Sequence, residues 1–112
     1  MAGTLAVKEE NCAEQLARFF PRTAPVRIPV QVTALRTRDS RLRESTVVEF
    51  SAREYAIFLT TLPLEFDDRI RIERDKKGWV AEATVIAVQY HEGRKAVAVR
   101  FSDGPCDWVT TL

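Results

Sequence analysis

The stretch from Thr46 to Leu64, TVVEFSAREYAIFLTTLPL, constrains the fold more than any other part of the chain. Val47, Val48 and Phe50 lead into a polar break, Ser51-Ala52-Arg53-Glu54. Tyr55, Ile57 and Leu59 then alternate with Ala56, Phe58 and Thr60 before Pro63 stops the run. β-Branched and aromatic residues on both sides of a polar break predict a hairpin. The rest of the chain supplies strands that can extend this hairpin into a sheet or barrel.

Upstream, Val26, Ile28, Val30 and Val32 alternate with Arg27, Pro29, Gln31 and Thr33, the period of a strand with one buried face. Proline cannot donate to a strand ladder, so Pro29 places this strand at a sheet edge or implies a bulge there. Residues 36–45, RTRDSRLRES, read as a long loop or hairpin tip. Downstream, Phe66-Asp67-Asp68 predicts a turn, and Ile70 and Ile72 alternate with Arg69, Arg71 and Glu73 in a short strand. Asp75-Lys76-Lys77-Gly78 follows as a turn, with glycine where a positive φ is easiest. From Trp79 to Tyr90 runs a long strand that offers Val80, Ala83, Val85, Ala87 and Val88 to the core. Its imperfect alternation predicts a bulge or barrel bend. His91-Glu92-Gly93-Arg94 reads as a four-residue hairpin loop, and Lys95 to Phe101 as the last strand, with Val97, Val99 and Phe101 on one face. Trp108, Val109 and Leu112 form a short apolar tail. Six strands joined by short turns, with no βαβ rhythm, predict a mainly β fold: a small six-stranded antiparallel barrel or a sandwich.

One helix is expected, over residues 8–20, KEENCAEQLARFF. Glu9 and Glu10 near its start and Arg18 near its end suit the helix macrodipole. Cys12, Leu16 and Phe19 or Phe20 form an apolar stripe, and Pro21 ends the helix. Three turns are not stable alone, so the stripe must dock on the β domain or on a partner. The predicted division is therefore a helical segment at 1–21 and a β-barrel domain at 22–112.

At 112 residues the chain is one domain with enough length for a single core. A net charge of +1, from 17 basic and 16 acidic residues, argues against a general nucleic-acid coat. The arginine-rich run from Arg36 to Arg43 reads as a solvated loop, partly neutralised by Asp39 and Glu44. No aromatic residue interleaves it to stack bases. Cys12, Cys106 and the single histidine, His91, lack metal-ligand spacing, and the two cysteines read as unpaired thiols, the alternative being a Cys12–Cys106 disulfide that ties the two ends together. Without a signal peptide or a spanning apolar run, the expected location is the cytoplasm. The four glycines are scattered rather than gathered into a phosphate loop, and His91 sits in a polar turn beside Glu92. No carboxylate pair stands out, so no enzyme activity, metal or cofactor is expected.

Directly before the first strand stands Arg18-Phe19-Phe20-Pro21-Arg22, an R-x-x-x-R. Two guanidinium forks on a short segment can close on a phosphate diester or stack on a base. The plainer alternative is a helix-end arginine and a solvated linker arginine. An R-x-x-x-R ahead of a six-stranded antiparallel barrel, with a D/N-x-S-x-x-G turn between the second and third strands, resembles the PilZ domain family of cyclic di-GMP receptors. The resemblance runs from about Arg18 to Trp108 and includes Ser51, Thr61-Leu62-Pro63-Leu64 and Ala98-Val99-Arg100-Phe101. It implies a signalling domain in which Arg18 and Arg22 grip phosphates and a guanine face. Ser51 takes the motif's serine, and Glu49 stands where the family has Asp or Asn. Glu54 replaces the glycine and puts a carboxylate beside an anionic ligand. That departure supports an alternative: an adaptor that binds no dinucleotide and meets another protein through its helix stripe, the sheet edge near Pro29 or the Trp108 tail.

Overall fold

The structure, a computed structural model, describes residues 11–35, 42–74, 78–102 and 104. A short helix, α1 (Cys12–Ala17), precedes six strands: β1 (Ala24–Ala34), β2 (Arg43–Ser51), β3 (Tyr55–Leu59), β4 (Arg69–Arg74), β5 (Trp79–His91) and β6 (Arg94–Phe101). They close into a barrel in the order β1-β2-β3-β6-β5-β4, with every neighbouring pair antiparallel. The architecture is thus the barrel, not the sandwich.

Alternation explains the interior. Ile28, Val30 and Val32 of β1 face inward with Val48, Phe58, Ile70, Ile72, Val85, Val97 and Val99, all buried in one cluster. Burying an aromatic or branched side chain stabilises the fold by roughly 1.5–3 kcal/mol each, so this interior dominates stability. Trp79 meets Phe101 edge-on at the same core, with ring centroids 6.0 Å apart.

Closure corrects the placement of Pro29. β1 is no edge strand, since it pairs with β2 on one side and with β4 on the other. Among the described residues the β4 ladder covers only Gln31–Ala34, so Pro29 lies beyond it. The bulge falls between Pro25 and Ile28, not at Pro29 itself. Arg43, Glu44 and Ser45 belong to β2 rather than to the preceding loop, because they pair with Thr33, Val32 and Gln31. Arg36, Arg38 and Arg41 lie outside the described residues, as do Asp75-Lys76-Lys77, Cys106 and the Trp108 tail.

The bulge expected in β5 falls between Val85 and Ala87. It turns Val85 into the barrel and brings Ile86 and Ala87 against the helix cluster on the outer face. Val80 is 54% exposed and does not join the core. The β5–β6 connection is tighter than a four-residue loop: His91 and Arg94 pair, leaving Glu92 and Gly93 at φ 52° and 77°. Positive φ at both central residues is the primed turn whose twist matches a hairpin.

α1 lies on the outer face of β3, β5 and β6. Cys12, Ala13 and Leu16 pack there against Ile57, Ala96 and Ala98, and the alanines leave room for close approach. The described helix is shorter than residues 8–20. It starts at the N-cap Asn11, whose side chain accepts from the Glu14 N–H at 2.8 Å, while Glu14 accepts from the Asn11 N–H at 3.0 Å. This reciprocal capping box satisfies two otherwise orphaned donors. Glu9 and Glu10 lie outside the described residues. At the other end, the Phe19 and Phe20 N–H groups donate to the Leu16 and Ala17 carbonyls three residues back. That tightening ends the α-helix before Pro21 takes effect. Phe20 joins the stripe, whereas Phe19 is 74% exposed.

Candidate functional site

Two local structures frame the arginine pair. The linker after α1 is held by Thr23, whose N–H and hydroxyl donate to the Phe20 carbonyl at 3.0 and 2.7 Å. Facing it, the β2–β3 turn is closed by the Ala52 N–H donating to the Tyr55 carbonyl at 2.9 Å, and the Phe101 N–H donates to the Glu54 carbonyl at 3.0 Å. Phe20 and Tyr55 join the two halves, with ring centroids 5.2 Å apart and planes tilted by 55°.

Between them lies a cleft of about 280 Å³ lined by Phe19, Phe20, Pro21, Arg22, Glu54 and Tyr55. It brings a guanidinium, a carboxylate and aromatic rings to one place. An arginine fork can take a phosphate or carboxylate, and a ring face or guanidinium plane can stack on a base. Glu54 can accept N–H donors but repels an anion set close beside it.

The four sequence-predicted residues do not share one environment. Arg22 lines the cleft just described, while Arg18, the C-cap of α1, is exposed and does not line it. Ser51 is 2% exposed, and its single hydroxyl proton is directed at the Ala52 and Tyr55 carbonyls at 3.2 and 3.1 Å. It holds the turn. Glu49 sits at the β2 bulge between Val48 and Phe50. Its carboxylate accepts from the Asn11 side-chain amide at 3.2 Å and so helps dock α1. Bulges re-aim side chains, and this one brings Glu49 and Phe50 both toward the helix.

The reading from sequence missed Phe19, Phe20 and Tyr55 as lining residues, although the first two lie inside the R-x-x-x-R itself. It also missed Asn11, whose signal was the N-x-x-E spacing to Glu14.

Two other clefts open on the outside of β2 and β3. One, of about 490 Å³, lies between the N-terminus of α1 and β1, and Arg27 and Glu49 line it. The second, of about 560 Å³, lies between β2 and the β5–β6 turn, and Glu44 and Tyr90 line it. Leu59 and Arg94 belong to both. Cys12, buried under α1, has its thiol pKa pushed up by that burial. Among the described residues no group of His, Cys, Asp and Glu could hold a metal, and no helix is long and apolar enough to cross a membrane.

No family model matches the chain, and no curated protein matches it in sequence. Among solved structures, the Bacillus subtilis inhibitor of motility (MotI/DgrA) is similar in fold, with a TM-score of 0.50 and 12% identity. The match covers 73% of this chain and 41% of that one, so this chain corresponds to less than half of the neighbour's length. At that identity the likeness is one of fold.

Proposed function

We propose that the chain is a PilZ-like signalling domain that takes cyclic di-GMP where residues 18–22 meet the β2–β3 turn. The observation that carries this reading is the meeting of Arg22 with Phe20 and Tyr55 at one cleft, immediately before the first strand of a closed six-stranded barrel. Arg22 grips a phosphate, Arg18 folds over from the end of α1, and an aromatic face receives a guanine. Glu54 rather than Glu49 accepts from the guanine edge, because Glu49 is turned toward Asn11. A cleft of 280 Å³ is smaller than most pockets that enclose a drug-sized ligand. The dinucleotide therefore lies across it, with the linker closing over the top. Calorimetry with cyclic di-GMP, beside an Arg22→Ala control, tests the reading. Heat that vanishes in the control supports it; no heat at protein concentrations of roughly tens of micromolar sinks it.

A second reading, an adaptor that works through protein contacts, has its own support. The Ser51 hydroxyl is already committed to the hairpin, and Glu54 opposes an anion beside Arg22. Phe19, 74% exposed next to Arg22, is of the residue type that anchors protein interfaces. On this reading, a chain carrying both Arg18→Ala and Arg22→Ala fully complements a deletion strain. Loss of complementation counts against it.

A further inference from the structure

Arg22 precedes one end of β1, and a different cluster stands near the other end. There Thr33 pairs with Arg43 of β2 on one side and with Arg71 of β4 on the other. Directly opposed residues of antiparallel strands share a face. Val32 and Ala34, the neighbours of Thr33 along β1, belong to the interior. Arg43, Thr33 and Arg71 therefore form one row on the outside of the barrel. Neighbouring strands lie about 4.8 Å apart, so the two arginines are rooted roughly 10 Å apart with Thr33 midway.

The polar groups of this row are uncommitted. Thr33 is 6% exposed, yet among the described residues its hydroxyl has no hydrogen-bond partner. A buried polar group left unpaired costs stability, and such groups are rare in folded proteins. Arg43 and Arg71 are exposed, and among the described residues neither makes a hydrogen bond or an ion pair. Arg71 also stands opposite Glu82 of β5, but the Glu82 carboxylate is paired with Arg69. β4 carries Glu73 on the same face, opposite Gln31 in the next row. These two glutamates keep their charge and bound the row at its β5 end and along β4. The residues that flank Thr33 across the two ladders are both cations.

We infer that Arg43, Thr33 and Arg71 form a site for the phosphoryl dianion of a phosphate monoester. Each guanidinium is a fork of donors that takes two phosphate oxygens, and the two forks reach in over Thr33 from opposite sides. The Thr33 hydroxyl donates to an oxygen turned toward the barrel, which gives it the partner it lacks. Three donor groups around one point suit a group with three free oxygens and about two negative charges. A carboxylate has two oxygens, which one fork already fills, so it leaves the second arginine and Thr33 unused. A phosphodiester carries a single charge. In a nucleic acid, the phosphates on either side would run toward Glu82 or Glu73, and no aromatic side chain shares the row to stack a base. The inference is independent of the dinucleotide reading, since Arg22 lies beyond the opposite end of β1 and cyclic di-GMP offers only diesters.

The test is nuclear magnetic resonance of the full chain with methyl phosphate as probe, beside dimethyl phosphate and acetate. Methyl phosphate is expected to shift the amides of Thr33, Arg43 and Arg71 saturably, with half-saturation below about 10 mM. Dimethyl phosphate and acetate are expected to bind at least about tenfold more weakly. A chain with both Arg43→Ala and Arg71→Ala is expected to lose the saturable shifts. Both arginines are exposed, and retained spectral dispersion shows that the variant folds. Thr33→Val keeps the shape of the side chain and removes the hydroxyl. It is expected to weaken methyl phosphate at least about fivefold while the thermal midpoint stays level or rises, because the lost hydroxyl has no partner in the free chain. Arg22→Ala is expected to bind the probe as the parent chain does. Absence of saturable shifts, equal binding of dimethyl phosphate or acetate, or unchanged affinity in either site variant would overturn the inference. So would tighter binding of a single-stranded DNA at the same amides.

Discussion

Asn11 holds α1 in two ways, and removing its side chain tests both. Its carbonyl oxygen caps the helix through the Glu14 N–H, and its amide donates to Glu49 on β2. Replacing an N-cap asparagine by alanine costs about 1 kcal/mol. Losing a part-buried side-chain hydrogen bond costs about another 1 kcal/mol. The Asn11 N–H bond to Glu14 survives in alanine, so the sum stays near 2 kcal/mol. A six-residue helix has little stability of its own, so this energy is lost from docking on the barrel. The opening equilibrium of α1 should then rise roughly thirtyfold, at 1.4 kcal/mol per factor of ten. Cys12, 1% exposed beneath α1, reports that opening. In a Cys106→Ser background, the rate of Cys12 alkylation should rise roughly thirtyfold in Asn11→Ala. It should rise much less in Asn11→Ser, which restores the cap. The barrel core is a separate cluster, so α1 should undock before the barrel melts and the barrel's thermal midpoint should move little. A rate change under about threefold, which is less than about 0.7 kcal/mol, refutes the argument. So does a rise that only follows a drop in the thermal midpoint.

Other consequences are as concrete. Burial holds the Cys12 thiol above its ordinary value of 9.0, so the docked helix favours the protonated form. Docking should be fully retained below that value and weaken as pH rises from it toward the raised pKa. An Ile57 methyl resonance followed with pH checks this, and Cys12→Ala should abolish the dependence. Phe58 is the largest fully buried side chain among the described residues, so Phe58→Ala should cost about 3–5 kcal/mol and lower the midpoint in thermal denaturation by at least roughly 12 °C. Glu92 carries φ 52° ahead of Gly93. Glu92→Asn should therefore raise the midpoint slightly and Gly93→Ala lower it, each by about 0.5–1 kcal/mol in denaturant titration.

Much of the barrel was legible because period-two alternation is a local signal. Val26 to Val32 and Ile70-Arg71-Ile72 carry it in their own residues. β6 shows where it stops. Val97, Val99 and Phe101 announced one buried face, but Ala96 and Ala98 are buried as well, because α1 covers the other. Alanine gives no polarity cue, so a strand covered on both sides by different elements reads as one-sided. Glu92-Gly93 was hidden differently. The residues of the turn were seen, but its length depends on how β5 and β6 register.

The candidate site follows the same division. The spacing of Arg18 and Arg22, the serine at the hairpin's polar break and the aromatic residues between the arginines are all properties of the sequence. Which of them meet is not. Four residues apart along a chain that turns, Arg18 leaves the cleft that Arg22 lines, and a one-residue bulge in β2 sends Glu49 to Asn11 instead. The sequence by itself determined six strands, one helix with an apolar stripe and an arginine pair ahead of the barrel, because each rests on the character and spacing of near neighbours. Only the tertiary structure decided the strand order, the side of the barrel that α1 covers and the partners of Glu49, Ser51 and Glu54. Those depend on contacts between residues far apart in the chain, whose energies no local pattern carries.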